Sequence, residues 1–184
     1  MSRLTPLPVE SATGKSQELF TVVKGKLGMV PNMMRTMAHS PEVLEGYLGL
    51  SGALGRGTLS AKVREQIALV VSEANGCDYC LAAHAALGRM VGLTAEQIGD
   101  SRRGEAIDPK ADAILRFARK IVDHRGQVSD ADLAEVREAG YSDAAIAEVV
   151  AHVALSVFTN YFNVVAATEV DFPPAPPLAH HQHQ

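Results

Sequence analysis

Four residues of this chain have the side chains and the spacing needed for redox chemistry: Glu65, Cys77, Cys80 and His84. The chain contains two cysteines in all, and both belong to a single Cys-x-x-Cys stretch. A histidine follows the second cysteine by four residues, and a glutamate precedes the first by twelve. This set supplies a dithiol that can close to a disulfide, a base beside it, and a carboxylate that can orient the base or accept its proton.

The residues around the cysteines predict that the dithiol lies in the first turn of a helix. Asn75-Gly76 is typical of a helix break, and Cys77 then opens a new helix. Unpaired N–H groups and the helix dipole favour a thiolate at such a position, where cysteine pKa values fall from about 8.5 to roughly 3.5–7.5. Helical spacing gives Cys77, Cys80 and His84 a common face, with the imidazole one turn from Cys80 as its base or ion-pair partner.

Glu65 belongs to the preceding helix, which Ser60 is expected to cap. If the turn before Cys77 folds this helix back antiparallel, Glu65 approaches the dithiol and can orient His84. A solvated surface glutamate is the alternative interpretation of Glu65. Glu73 is nearer to Cys77 in sequence and is the rival for the acidic role.

The predicted fold class is all-α, a compact fold of about seven to nine helices. Polar capping residues mark the helix starts, at Ser40, Ser60, Thr94, Asp108, Ser129 and Ser142. We expect a single domain over 1–184, with an extended N-terminal arm at 1–14 and a Pro/His-rich C-terminal tail at 173–184. Such a tail forms no core alone, so we expect a partner subunit to hold it. Segments 58–93 and 141–170 have a similar outline, which leaves a degenerate internal repeat open.

Composition narrows the classes of function. With 47% hydrophobic and 21% charged residues, the chain is close to an average soluble globular protein. The net charge is −4 without a basic block, so we expect no nucleic-acid partner. The apolar runs are short and periodic, so we expect no membrane span. The N-terminus lacks the apolar core of a signal peptide, so a cytoplasmic location is expected, where a Cys-x-x-Cys is typically catalytic or metal-binding.

Several residues have structural interpretations that compete with functional ones. Two cysteines and one histidine are fewer ligands than structural zinc prefers, so no metal is predicted, and inert buried cysteines stay an alternative. His152 is interpreted as a core or hydrogen-bonded histidine, with a second site as the alternative. Asn160 and Asn163 are interpreted as residues that cap or bond neighbouring backbone, with a pocket role as the alternative. The methionines beside Pro31 are interpreted as helix packing or subunit contact, with an apolar substrate pocket as the alternative: Met29, Met33, Met34 and Met37.

The pattern Glu65-x11-Cys77-x-x-Cys80-x-x-x-His84 resembles the signature of the alkylhydroperoxidase D-like branch of the carboxymuconolactone decarboxylase family. The Asn-Gly before the first cysteine and the later stretch 158–163 are also similar to that family. The resemblance extends over about residues 15–173.

This resemblance implies an all-helical trimer or hexamer that acts as a thiol-dependent peroxidase on hydroperoxides. Cys80 would attack and become a sulfenic acid, and Cys77 would resolve it to a disulfide. An external dithiol donor, protein or small molecule, would reset the pair, and no other cofactor is implied. Glu65 and His84 would form the proton relay. The best-known members have a histidine where this chain has Tyr79, whose phenol has a pKa near 10 and cannot shuttle protons near neutrality.

Two other functions are alternatives to a peroxidase. A decarboxylase of lactone acids is the other activity in the family's name, but it requires contacts to a carboxylate and no dithiol. A non-catalytic redox-sensing oligomer would use the same cysteines without turnover. Tyr79 is assigned either to the substrate pocket, as a hydrogen-bond donor to peroxide, or to packing.

Overall fold

The structure, a computed structural model, describes residues 2–178. Over that range the regular structure is entirely helical, as the sequence predicts, and contains no strand. A short 3-10 helix, Val9–Ser11, precedes nine α-helices: α1 Gly14–Leu27, α2 Asn32–Met37, α3 Pro41–Leu54, α4 Ala61–Ala74, α5 Asp78–Met90, α6 Ala95–Arg103, α7 Pro109–Asp123, α8 Asp130–Glu138 and α9 Asp143–Ala166.

Most of the predicted capping residues cap as expected. The side chains of Ser60, Asp108 and Ser142 each accept a hydrogen bond from a backbone N–H in the first turn of their helix. Thr94 and Ser129 go further and form complete capping boxes. Ser40 is the exception, because its hydroxyl donates to the side chain of Glu42 instead of accepting from the backbone.

Helix α4 lies at the centre and packs against α5, α6, α7 and α9. Its middle is surrounded on every side, and Ile67, Leu69, Val70 and Val71 are fully buried. One cluster of apolar side chains joins α4 to α7, α8 and α9. A second, rich in methionine, joins α1, α2 and α3 to the start of α5 and contains both cysteines. The dithiol is therefore part of a packed core, held at the junction of α4 and α5.

Helix α9 has 24 residues and packs against α3, α4, α5 and α7. It is also apolar enough to span a membrane by length and composition alone, a test that core helices of soluble proteins pass as well. Several large apolar side chains of α9 are solvent-exposed in the single chain: Val150, Phe158, Tyr161, Val164 and Val165. The predicted subunit contacts stay a prediction, for which this face is the candidate surface.

Both chain ends run along the molecule. In the arm, the N–H groups of Arg3 and Leu4 donate to the Ala166 carbonyl at 2.8 and 3.3 Å, and the N–H of Leu7 donates to the Arg35 carbonyl at 3.2 Å. The predicted arm at 1–14 thus joins the end of α9 to α2.

The expectation that a partner subunit holds the C-terminal tail stays a prediction, and the structure shows that residues 171–176 also contact their own chain. Asp171 Oδ2 accepts a hydrogen bond from the N–H of Asn32 at 2.7 Å, which caps α2. Phe172 stacks edge-on against Tyr79 with 5.8 Å between ring centres, and Arg102 Nη1 donates to the Pro176 carbonyl. The tail is anchored by its own chain because it supplies an acceptor to a helix start and an aromatic ring to the core. The histidines at 180, 181 and 183 lie outside the described residues.

The internal repeat also stays a prediction. The first segment, 58–93, folds as the two helices α4 and α5 with a turn between them. The second, 141–170, forms the single helix α9 followed by extended chain.

Candidate active site

The turn between α4 and α5 sets the position of the dithiol. Gly76 has φ +63°, in the left-handed region that favours glycine, and so reverses the chain. The N–H of Cys77 donates to the Ser72 carbonyl at 3.0 Å, which ties the start of α5 back to α4. Cys77 is the residue before α5, and its Sγ accepts a hydrogen bond from the N–H of Cys80 at 3.2 Å. The dithiol thus lies at a helix N-terminus, as the sequence predicts.

Cys77 and Cys80 are joined by a disulfide in this structure, with 5.3 Å between their Cα atoms. Both are buried, with 1% and 3% of their surface exposed. The amide Nδ2 of Asn163 donates a hydrogen bond to Cys80 Sγ at 3.4 Å. Asn163 Oδ1 is buried without a partner among the described residues. The amide donor next to the sulfur can stabilise negative charge on Cys80 when the disulfide is open.

Glu65 and His84 form a direct pair. His84 Nδ1 donates to Glu65 Oε2 at 2.8 Å. The His84 side chain is 25% exposed and the Glu65 side chain 20%. The hydrogen bond fixes the ring and leaves Nε2 for a second contact. The rival carboxylate, Glu73, instead pairs with Arg102 at 2.7 Å between Oε2 and Nε. The predicted association of Glu65 with the dithiol helix is therefore present in the geometry.

A cavity of about 270 Å³, here called the thiol cavity, opens beside Cys80. His84 and Asn163 also line it, and the rest of its wall is largely apolar. Its exposed mouth is formed by Lys26, Leu27, Met29 and Met90, and its interior includes Met33, Met34, Leu87 and Phe172. Met33 and Met34 both pack in the cluster that contains the dithiol and line this cavity, whereas Met37 only packs there and Met29 only lines the cavity.

Tyr79 forms part of the wall of the thiol cavity and is 4% exposed. Its hydroxyl oxygen accepts a hydrogen bond from the N–H of Met33 at 3.2 Å, which ties α5 to α2. Burial raises the pKa of Tyr79 well above its usual value, and the Asp171 carboxylate raises it further. The phenol is therefore neutral across the physiological range, and both interpretations of Tyr79, wall and packing, apply at once.

A second cavity, of about 230 Å³, lies on the other side of the Glu65–His84 pair and is here called the polar chamber. It is lined by Tyr47, Ser51, Gly55, Arg64, Glu65, Ala68, His84, His152, Leu155, Ser156 and Thr159. Tyr47, His84 and Thr159 line both cavities, so they form the common wall. Burial, together with the charge of Glu65, raises the pKa of Tyr47 to about 12.

His152 and Asn163 are two buried polar residues of α9 for which the sequence favoured a structural role over a place in the site. His152 is 8% exposed and lines the polar chamber, and its Nε2 has no hydrogen-bond partner among the described residues. Asn163 contacts a sulfur instead of backbone, whereas Asn160 bonds the side chains of Ser72 and Asn75. The one available signal was that these polar residues recur on the otherwise apolar face of α9.

Within residues 2–178, no three His, Cys, Asp or Glu side chains cluster in a way that could hold a metal ion. The chemistry that the described residues offer is that of the dithiol, with the Glu65–His84 pair for protons and Asn163 for charge at sulfur.

Fold and site together define an all-helical, alkylhydroperoxidase D-like protein with a Cys-x-x-Cys at a helix start. The model of the carboxymuconolactone decarboxylase family matches residues 41–124, which run from α3 through α7 and include all four predicted site residues. Over that range the chain is similar to the carboxymuconolactone decarboxylase family, in agreement with the resemblance found in the sequence. No curated protein sequence matches it.

Solved structures agree with this assignment. An alkylhydroperoxidase AhpD core, an uncharacterised peroxidase-related protein from Ralstonia eutropha JMP134, is 28% identical, with 92% of each chain covered and a TM-score of 0.83. A peroxidase-related protein from Silicibacter sp. TM1040 is 29% identical, with 90% of this chain and 91% of that chain covered and a TM-score of 0.75. The debrominase Bmp8 shares the fold at 22% identity, with 91% of each chain covered and a TM-score of 0.78.

Proposed function

We propose that this protein is a thiol-dependent peroxidase that reduces hydroperoxides through a Cys77–Cys80 dithiol/disulfide cycle. The observation that carries the proposal is the position of Cys80, which is bonded to Cys77 and lines the thiol cavity one helical turn from the Glu65–His84 pair. Similarity to solved structures of peroxidase-related proteins supports it. Cys77 does not line that cavity, which favours Cys80 as the attacking sulfur.

The cycle balances in three steps. The Cys80 thiolate attacks the terminal oxygen of a hydroperoxide ROOH, the O–O bond breaks, and the alkoxide leaves as ROH after taking a proton, so that Cys80 becomes a sulfenic acid. The Cys77 thiol then attacks the Cys80 sulfur, and water leaves as the disulfide forms. An external dithiol returns two electrons and two protons and is itself oxidised to a disulfide.

The surrounding residues have separate roles in this proposal. His84 takes the proton of the Cys80 thiol and later gives one to the leaving alkoxide, while Glu65 holds its ring in place. Asn163 donates to the sulfur and stabilises the thiolate. Tyr79 shapes the cavity, because its oxygen is engaged by the N–H of Met33. The relay therefore operates without a titrating group at position 79.

The test is stoichiometric oxidation of the reduced protein by cumene hydroperoxide. We expect two thiols to disappear and one cumyl alcohol to form per chain. Cys80→Ser should abolish both, whereas Cys77→Ser should form one alcohol and stop at a sulfenic acid that dimedone traps. Unchanged thiol titration in the wild-type chain would contradict the proposal. Steady-state turnover with a panel of dithiol donors then separates an enzyme from a redox-sensing oligomer, which oxidises once and changes its assembly state.

A second candidate is reductive debromination of a small aromatic compound. The debrominase that shares this fold has been solved, as a cysteine-to-alanine variant, in complex with 2,3,4-tribromopyrrole. The observation that favours it here is a largely apolar cavity beside Cys80. The dithiol holds the two electrons that are needed, since an aryl bromide and two thiols yield the arene, a disulfide, and bromide with its proton. Bromide release from 2,3,4-tribromopyrrole by the reduced protein, compared with its rate of peroxide reduction, decides between the two.

Decarboxylation of a lactone acid is less well supported. A substrate carboxylate requires cationic or hydrogen-bond contacts, and the cation that lines the described cavity, Lys26, lies at its exposed mouth.

We also propose that the protein is a homo-oligomer, a trimer or a hexamer, in the cytoplasm, with neither nucleic acid nor membrane as a partner. The exposed apolar face of α9 supports the oligomer.

A further inference from the structure

The polar chamber has no role in the cycle proposed above, although it shares a wall with the thiol cavity. Glu65 and His84 both line the chamber, and His84 also lines the thiol cavity. Exposed Gly55 forms part of the chamber lining and brings the chamber to the surface. The proton-handling pair therefore lies between a mostly apolar space that contains the sulfur and a polar space that leads outward.

The lining of the chamber suits water and protons better than an organic substrate. Hydroxyl groups come from Ser51, Ser156 and Thr159, and a guanidinium comes from Arg64. A polar space of about 230 Å³ has room for several water molecules at about 30 Å³ each, and its lining supplies the hydrogen-bond partners that buried waters require. Protons move rapidly along such hydrated, hydrogen-bonded groups.

His152 is the group in the chamber whose chemistry the fold leaves unused. Its imidazole is more than nine-tenths buried, and its Nε2 has no partner among the described residues. Nε2 itself is closed to solvent, so a water molecule in the chamber would contact the part of the ring that lines the chamber and would connect His152 to Glu65.

We propose that the polar chamber is the proton port of the site, and that His152 exchanges protons between its water and the Glu65–His84 pair. Hydroperoxide then enters on one side of the pair while protons pass on the other. His152 acts through Glu65, so it is a positioning residue rather than a catalytic one. This inference rests on the proposed function and adds to it the route by which the relay is recharged.

The charges around His152 fit this role. Arg64 and Glu65 face it from α4, His84 from α5, Tyr47 from α3, and Glu148 lies one turn away on α9. Burial lowers the pKa of His152, Arg64 lowers it further, and Glu148 and Glu65 partly offset both. The ring is consequently neutral near pH 7, with one nitrogen that donates and one that accepts, which is the state that can pass a proton in either direction.

The test compares His152→Ala, His152→Gln and the remote, exposed His124→Ala in two half-reactions. One is oxidation by cumene hydroperoxide, and the other is reduction of the disulfide by dithiothreitol, which requires no peroxidase activity. We expect His152→Ala to slow both about tenfold, less than the roughly 10²–10⁴ of a group that transfers the proton directly. Added imidazole should restore the rate, whereas pyrazole, an isostere and a much weaker base, should not.

The near-isosteric His152→Gln guards against a folding defect, and circular dichroism verifies each variant. We expect His152→Gln to raise the solvent deuterium isotope effect on both half-reactions above the wild-type value. Wild-type rates and isotope effects in both His152 variants would overturn the inference, and so would a loss that imidazole does not restore. A wild-type chain that is inert to peroxide would overturn the proposed function instead, and the dithiothreitol half-reaction would still decide the role of His152.

Discussion

The thiol cavity and the polar chamber share a wall and are of similar volume, but the side chains that line them differ in polarity. Methionine, leucine and aromatic side chains form most of the first, whereas serine, threonine, arginine and histidine dominate the second. His84 belongs to this shared wall and donates a hydrogen bond to Glu65, which lines the chamber. A weakly polar surrounding strengthens electrostatic contacts to the sulfur, while a hydrated one lets charge leave. The comparison shows how one helix pair, α4 and α5, can serve both requirements with a single imidazole.

The largest effect is expected from substitution of the Glu65–His84 pair. Glu65→Gln and His84→Ala should each slow hydroperoxide reduction by about 10²–10⁴-fold, because both disable general acid–base catalysis at Cys80. Single-turnover oxidation measured by thiol titration gives the rate. Glu73→Gln is the matched control, a carboxylate on the same helix that pairs with Arg102 instead. If Glu73→Gln were as slow as Glu65→Gln, the assignment of the relay would be wrong.

The next effect tests the polar contact made inside the otherwise apolar cavity. Asn163→Ala removes the donor to Cys80 Sγ and should slow attack by roughly tenfold or more, since a hydrogen bond to a charged group contributes about 1.5–3 kcal/mol. Asn163→Asp keeps the shape but brings a carboxylate to the thiolate, so it should be slower still. The rate of iodoacetamide alkylation at pH 7 reports on the reduced protein. Faster alkylation in Asn163→Asp than in Asn163→Ala would refute the proposed contact.

A smaller and more selective effect is expected from filling the thiol cavity. Ala86→Phe places a ring where the cavity receives the organic part of a substrate, and should raise the KM for cumene hydroperoxide about tenfold. Hydrogen peroxide, which requires little room, should be affected within about twofold. Ala134→Phe, on the exposed side of α8, is the control. Equal losses for both peroxides would mean that the cavity does not select the substrate.

The smallest effect lies on the chamber side and concerns stability. The pKa of His152 is lowered in the folded state, so below the ordinary histidine value of about 6.5 the unfolded chain binds a proton that the folded one resists. Stability should therefore fall as pH drops from about 7.5 to 5.5. In thermal unfolding, His152→Gln should show a shallower decline of Tm over this window, with His124→Gln as control. Identical slopes in wild type and His152→Gln would contradict this linkage.

The sequence predicts the part of the site that is formed by the two helices on either side of one turn, α4 and α5. Glu65 and His84 are 19 residues apart, on two helices joined by a short glycine turn, so their approach requires only that this turn folds the helices antiparallel. Asn163 lies 83 residues from Cys80, and its contact depends on how α9 packs against α5. His152 depends on the same packing. No local pattern encodes that arrangement, because an apolar helix face fixes burial but not which neighbour a polar residue meets.

Helix positions were predictable because the residues that start a helix are close together in the sequence. The capping box at Thr94 and the helix start at Ser129 are local signals, and both formed as expected. The anchoring of the tail was not, since Phe172 reaches a ring 93 residues earlier, Tyr79, and nothing in a proline-rich segment specifies that partner. The tyrosine that departs from the family pattern is thereby explained as a packing residue as well as a wall of the cavity.

The contact between Phe172 and Tyr79 also has a consequence for the newly made chain. Phe172 lines the thiol cavity and leaves the ribosome 92 residues after Cys80. At about 5–20 residues per second, translation takes roughly 5–18 seconds to cover that distance. Throughout this interval the cysteines exist without their last wall. Until Phe172 is made, the nascent dithiol therefore lacks the aromatic side chain that closes one side of its cavity.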